Sequence, residues 1–323
     1  MASNRVLFID ICKFVAIFAV MFDHSAQWLT GLATPVLFGL EMPEVAYHMP
    51  LFMVLSGYFI NVDKIKPTPP SKYLKDKAIR LLIPSIVCYV TMCIFTLKLP
   101  NSSCIYYYWF LNCMFMCYCA VYLTIMCSKH LWIGIIISLI VVLFLPMSNF
   151  MNFNYLYPFL WLGFGVRWFI DKRGARLVDI VLLLTASLVL YFYWDMSKSV
   201  YYCPFNVMNF SWSSLNTSLY RYAIGATVSL LIILIVCKIA RKPNLISNTL
   251  ASLGRETLFM YLGSFIINAC LLKWLKIPEW FDYKTCTELY AFTYSSFLVA
   301  STYAIAKLLR RNRITRLLFL GEK

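Results

Sequence analysis

Ten stretches of roughly 20 mainly apolar residues follow one another along this chain, and runs of that length admit few folds. A bilayer core about 30 Å thick is crossed by roughly 20 residues of helix. With no water inside it, every backbone N–H and C=O must be satisfied within a helix or around a closed barrel. Barrel strands need only about 10 residues, so the runs imply an all-α, polytopic integral membrane protein. They lie near 6–23, 45–62, 81–97, 105–127, 131–148, 153–170, 178–194, 220–237, 257–273 and 289–306. Charged residues make up only 13% of the chain and hydrophobic ones 61%, as a lipid-facing surface requires. The first run carries Asp10 and Lys13 and is not followed by a small-residue cleavage site, so it reads as a retained helix rather than a signal peptide.

Basic residues flanking short loops resist translocation, so their distribution orients the helices. Of the 29 Lys and Arg, 22 fall on the side that holds both ends of the chain, 6 fall on the other, and Lys13 lies within a helix. Both termini are therefore expected in the cytoplasm. The net charge of +15 is explained by this cytoplasmic face beside anionic lipid headgroups, so no nucleic-acid partner follows from it. A cytoplasmic polyanion such as a nucleotide-bearing cofactor would also suit the basic 64–80 loop. No Gly/Ser linker, charge block or visible repeat divides residues 1–323, which read as a single transmembrane domain.

Most of the twelve cysteines fall within apolar runs, where they serve as small hydrophobes. The Cys113, Cys117, Cys119 group has no neighbouring His or carboxylate, so no metal is expected. Cys104, Cys203 and Cys286 fall on the outer side, where one disulfide among them is an open expectation. The outer 195–219 loop, rich in aromatics beside amides and hydroxyls, suits either a sugar or an interfacial helix.

An ionisable group within a span costs about 2.5–3.5 kcal/mol on insertion scales and therefore needs a partner or a task. The first span holds three. Asp10 and Lys13, three residues apart, are placed to pair. His24 lies eleven residues beyond Lys13, which returns it to within about 20° of the same face and about 16 Å further outward. One stripe thus carries an acid, a base and an imidazole, like the wall of a polar passage. His48 places a second imidazole at the outer start of the second span. Imidazole as general base with a cation to stabilise an oxyanion fits acyl transfer, and the same groups fit proton-coupled transport.

Five segments in order resemble the bacterial membrane acyltransferase-3 family: VLFIDICKFVAIFAVMFDHS, YHMPLFMVLSGYFI, KAIRLLIP, YYWFLNCMF and YLYPFLWLGFGV. The family marker, a basic residue followed after ten positions by His, is met by Lys13 and His24, with Lys where many relatives have Arg. Asp23 stands where a glycine commonly precedes that histidine, Phe14 where a small residue follows the basic one, and Gly263 where a late helix often carries a polar residue.

The resemblance implies about ten core helices in a bacterial cytoplasmic membrane and an O-acyltransferase. Its donor would be acetyl-CoA or another short acyl-CoA, and its acceptor a hydroxyl of a cell-surface glycan or lipid-linked precursor. It implies His24 as base on the acceptor hydroxyl or transient acyl carrier, and Lys13 supported by Asp10 at the thioester carbonyl or the donor's arm in the passage. Lys77 and Arg80 would meet the CoA phosphates, with His48 and Arg221 supporting the acceptor. Trp109, Phe110, Tyr58 and Tyr261 read as packing residues. The competing expectation is a transporter or flippase of a glycan, amphiphile or proton-coupled solute, with no covalent chemistry.

Overall fold

The computed structural model describes residues 7–32, 35–37, 39–101, 104–145, 152–195, 203–274 and 287–323. Helix dominates these residues, and a helix occupies each stretch read as a span. In chain order they are α1 (Leu7–Thr30), α2 (His48–Tyr58), α3 (Val62–Ile65), α4 (Pro70–Thr96), α5 (Cys104–Tyr107), α6 (Trp109–Cys127), α7 (Leu131–Phe144), α8 (Phe153–Arg173), α9 (Leu177–Phe192), α10 (Trp212–Ile239), α11 (Leu245–Gly254), α12 (Thr257–Trp274), α13 (Thr287–Leu309) and α14 (Arg313–Leu320). A two-residue hairpin, Val36–Leu37 against Leu40–Glu41, and a 3₁₀ turn at Pro43–Ala46 link α1 to α2. By length and composition alone, α4, α6 and α10 are long and apolar enough to cross a membrane, and α7, α9 and residues 257–271 form shorter apolar helices.

Two expected spans depart from single helices. The 45–62 stretch yields only the eleven residues of α2, about 16 Å of rise, framed by the 3₁₀ turn and α3. The 105–127 stretch breaks at Tyr108, whose backbone leaves the helical region (φ −108°, ψ 47°) while its buried ring reaches across to donate to the Leu262 carbonyl at 3.2 Å. A tertiary hydrogen bond to α12 thus interrupts a run that hydropathy reads as continuous. Arg5, Lys198, Lys276, Lys284 and Cys286, which entered the orientation and disulfide expectations, lie outside the described residues, as does the side chain of Cys104. Cys203 is a buried free thiol 3.3 Å from Ser218 Oγ.

The helices sort into an inner group and an outer rim. On α9 only Ser187 is buried, and Leu177, Val178, Leu182, Leu188 and Phe192 are exposed. On α7, Trp132, Ile133, Ile136, Ile137, Ile140 and Val141 are exposed likewise. Contiguous apolar exposure on that scale is untenable in water and ordinary against lipid. The inner group is α1, α2 and α8, with α2 set against α8 at backbone distance. A Cβ added at Gly57 would stand 1.8 Å from the Leu160 carbonyl oxygen, and one at Gly163 would stand 2.0 Å from that of Val54. Small residues are what let two membrane helices approach so closely. α1 is nearly as enclosed, burying Ile9, Cys12, Ala16, Ile17, Val20 and Met21, and this central position decides where its polar residues go.

Candidate active site

The polar residues of α1 feed two separate clusters, one at each end of the helix. At the first, Lys13 Nζ donates to Asp10 Oδ1 at 3.2 Å, the pairing expected from their spacing. The other carboxylate oxygen of Asp10 faces Arg255 Nε at 3.4 Å. That contact exists because α11 ends on α1: a Cβ at Gly254 would lie 1.7 Å from the Asp10 carbonyl oxygen, so only glycine permits the approach that delivers Arg255. The next residue, Glu256, is almost fully buried and receives Arg310 fork to fork, with Nη1 at 2.8 Å and Nη2 at 3.0 Å, and Lys307 at 3.8 Å. Arg310 also reaches Glu322 at 2.8 Å. Lys323 pairs with Asp76 on α4, so the end of the chain is fastened beside Lys77 and Arg80.

These groups wall a cavity of about 610 Å³, within the size range of small-molecule and cofactor sites. Asp10 and Lys13 come from α1, Lys77 and Arg80 from α4, Arg255 and Glu256 from the α11–α12 turn, and Arg310 and Glu322 from the last segments. Five cations thus face three carboxylates, and the surplus suits an anionic occupant. Lys77 Nζ sits 3.5 Å from the centroid of the Tyr118 ring, which holds its charge toward the cavity. The apolar wall comes from α2 and α6, including Met49, Phe52, Phe110 and Met114, and Tyr261 of α12 joins it. Phe110 and Tyr261, expected as packing, are therefore cavity-lining residues.

The second cluster lies at the far end of α1. His24 is absent from the cavity wall. Its ring stacks on Trp28 with centroids 5.5 Å apart at 17°, meets Phe265 edge-on at 5.1 Å, and places Nδ1 3.0 Å from Gln27 Oε1. Phe265 in turn contacts Tyr261, with centroids 5.7 Å apart. The expected uninterrupted stripe from Lys13 to His24 is thus divided: helical period places both on one side of α1, but on α12 Tyr261 lines the Lys13 cavity while Phe265, in contact with it, packs against His24.

His48 is fully enclosed, with Nδ1 3.6 Å from Asp23 Oδ2. Asp23, the departure from the family pattern, therefore faces the other histidine. Glu44, in the 3₁₀ turn, faces Asp23 through its side chain, and burial pushes the Glu44 carboxyl above the usual carboxylate range. Arg221 is buried on α10, where its carbonyl accepts from Tyr155 Oη at 3.3 Å.

Sequence reasoning found Asp10, Lys13, Lys77 and Arg80 of the cavity. It missed Arg255, Glu256, Arg310 and Glu322, although the SLGRE segment carried a signal in a glycine directly before an Arg–Glu pair at a helix junction. It also missed Asp23, Glu44 and Gln27 around the histidines. Among the described residues no group of His, Cys, Asp and Glu is arranged to hold a metal ion.

Residues 6–311 match the model of the acyltransferase-3 family, described as an acyltransferase domain. The chain is also similar to the nodulation protein NolL of Mesorhizobium japonicum, at 27% identity over 229 residues, which are 62% of this chain and 59% of that protein. It therefore spans less than two thirds of that relative's length. No solved structure matches it.

Proposed function

From the premise that this chain belongs to the acyltransferase-3 family, and is thus a membrane acyltransferase, we propose that it carries an acetyl or other short acyl group from cytoplasmic acyl-CoA to a glycan hydroxyl at the outer side. The acceptor is a cell-surface glycan or its lipid-linked precursor, and the chain crosses the bacterial cytoplasmic membrane about ten times with both ends inside. The observation that carries this reading is the cation-rich cavity at the inner end of α1.

In that cavity Lys77 and Arg80 stand at the cytoplasmic end of α4, where a CoA phosphate group meets paired cations before any part of the donor enters the bilayer. Lys13, held by Asp10, lies deeper and holds the donor's arm in the passage. The acceptor hydroxyl loses its proton to His24 as its oxygen bonds to the carbonyl carbon. The carbon–sulfur bond then breaks, and the departing thiolate is protonated as CoA thiol. Lys13 and His24 are separated by about 16 Å along α1, Tyr261 lining the cavity beside the one and Phe265 packing on the other. The acyl-bearing arm therefore has to extend beyond Lys13 toward the far end of α1 to bring its carbonyl to the hydroxyl.

The test is acyl transfer by purified protein in lipid, supplied with labelled acetyl-CoA and a panel of glycans, for wild type, His24→Ala and Lys13→Ala. Transfer by wild type and its loss in His24→Ala support the reading. No transfer to any glycan, together with His24-dependent solute flux in vesicles, refutes it in favour of transport.

A further inference from the structure

Gln27 lies three residues beyond His24 on α1, and its Oε1 stands 3.0 Å from His24 Nδ1. An amide oxygen only accepts, so this contact requires the ring proton on Nδ1. The opposite end of the amide fixes which way it faces. Gln27 Nε2 donates to Met42 Sδ at 3.6 Å, and reversing the amide would set its oxygen against the sulfur lone pairs. The ring is held on two further sides, by the stacked Trp28 and the edge-on Phe265. Gln27, Trp28 and Phe265 therefore contact one imidazole from three sides, with the Gln27 amide turned by Met42.

We infer that Gln27 is a positioning residue for acyl transfer, holding the His24 proton on Nδ1 so that Nε2 keeps the lone pair. The inference rests on the reading of His24 as base. In the transfer step Nε2 takes the hydroxyl proton as the oxygen–carbon bond forms, and gives it up as the carbon–sulfur bond breaks and the thiolate leaves. The Nδ1 proton stays on the ring throughout, hydrogen-bonded to Gln27. An amide performs this orienting task without placing a second charge beside the imidazole. Of the nearby carboxylates, Asp23 faces His48 at 3.6 Å and Glu44 faces Asp23.

The chain has three histidines, so ¹⁵N-histidine NMR of the full protein in lipid nanodiscs resolves each ring, with His24→Ala assigning its own signals. Wild type is expected to show His24 with the proton on Nδ1. Gln27→Leu is expected to shift that ring to the Nε2–H tautomer. Gln27→Glu, which retains an acceptor at the same reach, is expected to keep Nδ1–H, and a correctly folded Gln27→Glu guards against misfolding of the Leu variant. In acetyl transfer, kcat is expected to fall about tenfold or more in Gln27→Leu with KM for acetyl-CoA unchanged. An Nε2–H tautomer in wild type, or persistence of Nδ1–H in Gln27→Leu, overturns the inference. If instead His24→Ala retains full transfer, the base reading fails while the tautomer result stands, so the two failures are distinguishable.

Discussion

Gly254→Ala tests the junction that builds the inner cavity. The new Cβ would meet the Asp10 carbonyl oxygen at 1.7 Å and its carbon at 2.6 Å, whereas real Cβ contacts essentially never fall below 3.0 Å. Both offending atoms are backbone, so α1 and α11 must part by about 1.3 Å or more. Overpacking of this kind costs about 1–3 kcal/mol. The same displacement stretches the 3.4 Å approach of Arg255 to Asp10, which should weaken acyl-CoA binding as well as the fold. The control is Gly165→Ala on α8, where nothing lies within 4 Å of the added methyl. A helical Gly to Ala change in open space is worth about 0.5–1 kcal/mol in the favourable direction. The two variants are therefore expected to separate by roughly 1.5–4 kcal/mol. Thermal unfolding of each purified protein in the same detergent reads the difference, and acetyl-CoA titration reads the cavity. A Gly254→Ala protein that unfolds with Gly165→Ala and binds acetyl-CoA like wild type would refute the close approach of α11 to α1.

Three further outcomes are expected. Replacing Lys77 and Arg80 together by Ala should raise KM for acetyl-CoA about tenfold or more while leaving kcat near wild type, since loss of one charge-assisted contact is worth about 1.5–3 kcal/mol of binding; steady-state kinetics across donor concentrations reads it, and the variant's KM should be less sensitive to salt. Glu256→Ala removes a buried partner from Arg310 and should destabilise by about 3 kcal/mol, the lower end for a broken buried pair because Arg310 keeps Glu322, as measured by thermal unfolding. Glu44 has a raised folded-state pKa, so its contribution to stability is complete below the ordinary carboxylate range and is lost as pH rises through the folded value. Glu44→Gln should remove that loss and unfold at higher temperature than wild type near neutral pH, with the gap closing in acid.

Which parts of this fold and site were legible in the sequence follows from the range of the interactions involved. Apolar run length reports the local solvent, so the stretches given to helices were readable, including the charged first one. The Asp10 and Lys13 pair was readable because three residues along a helix is a fixed geometry. Lys77 and Arg80, which line the cavity, were readable as a basic segment running directly into the apolar part of α4. Arg255, Arg310 and Glu322 come to the same cavity only through packing of α11, α13 and α14 against α1 and α4, and no local period encodes that. The division of the stripe had the same origin: period gave the angle of His24 correctly, whereas Tyr261 and Phe265, more than 200 residues away, decide what occupies the space. Asp23 was read as a neutral departure from a pattern because its partner, His48, lies across a loop.

The glycine seam between α2 and α8 has a mechanical consequence. With Gly57 and Gly163 each seated against the other helix's carbonyl oxygens, there is no clearance for one helix to slide past the other. Any larger excursion of α2 relative to α8 is left with rotation about that point of contact, as around a pivot. Phe52 on the cavity side lies on one arm of this lever, and His48 lies near its end. A tilt that widens the cavity would thus swing His48 as well, coupling the volume of the cavity with the position of that imidazole.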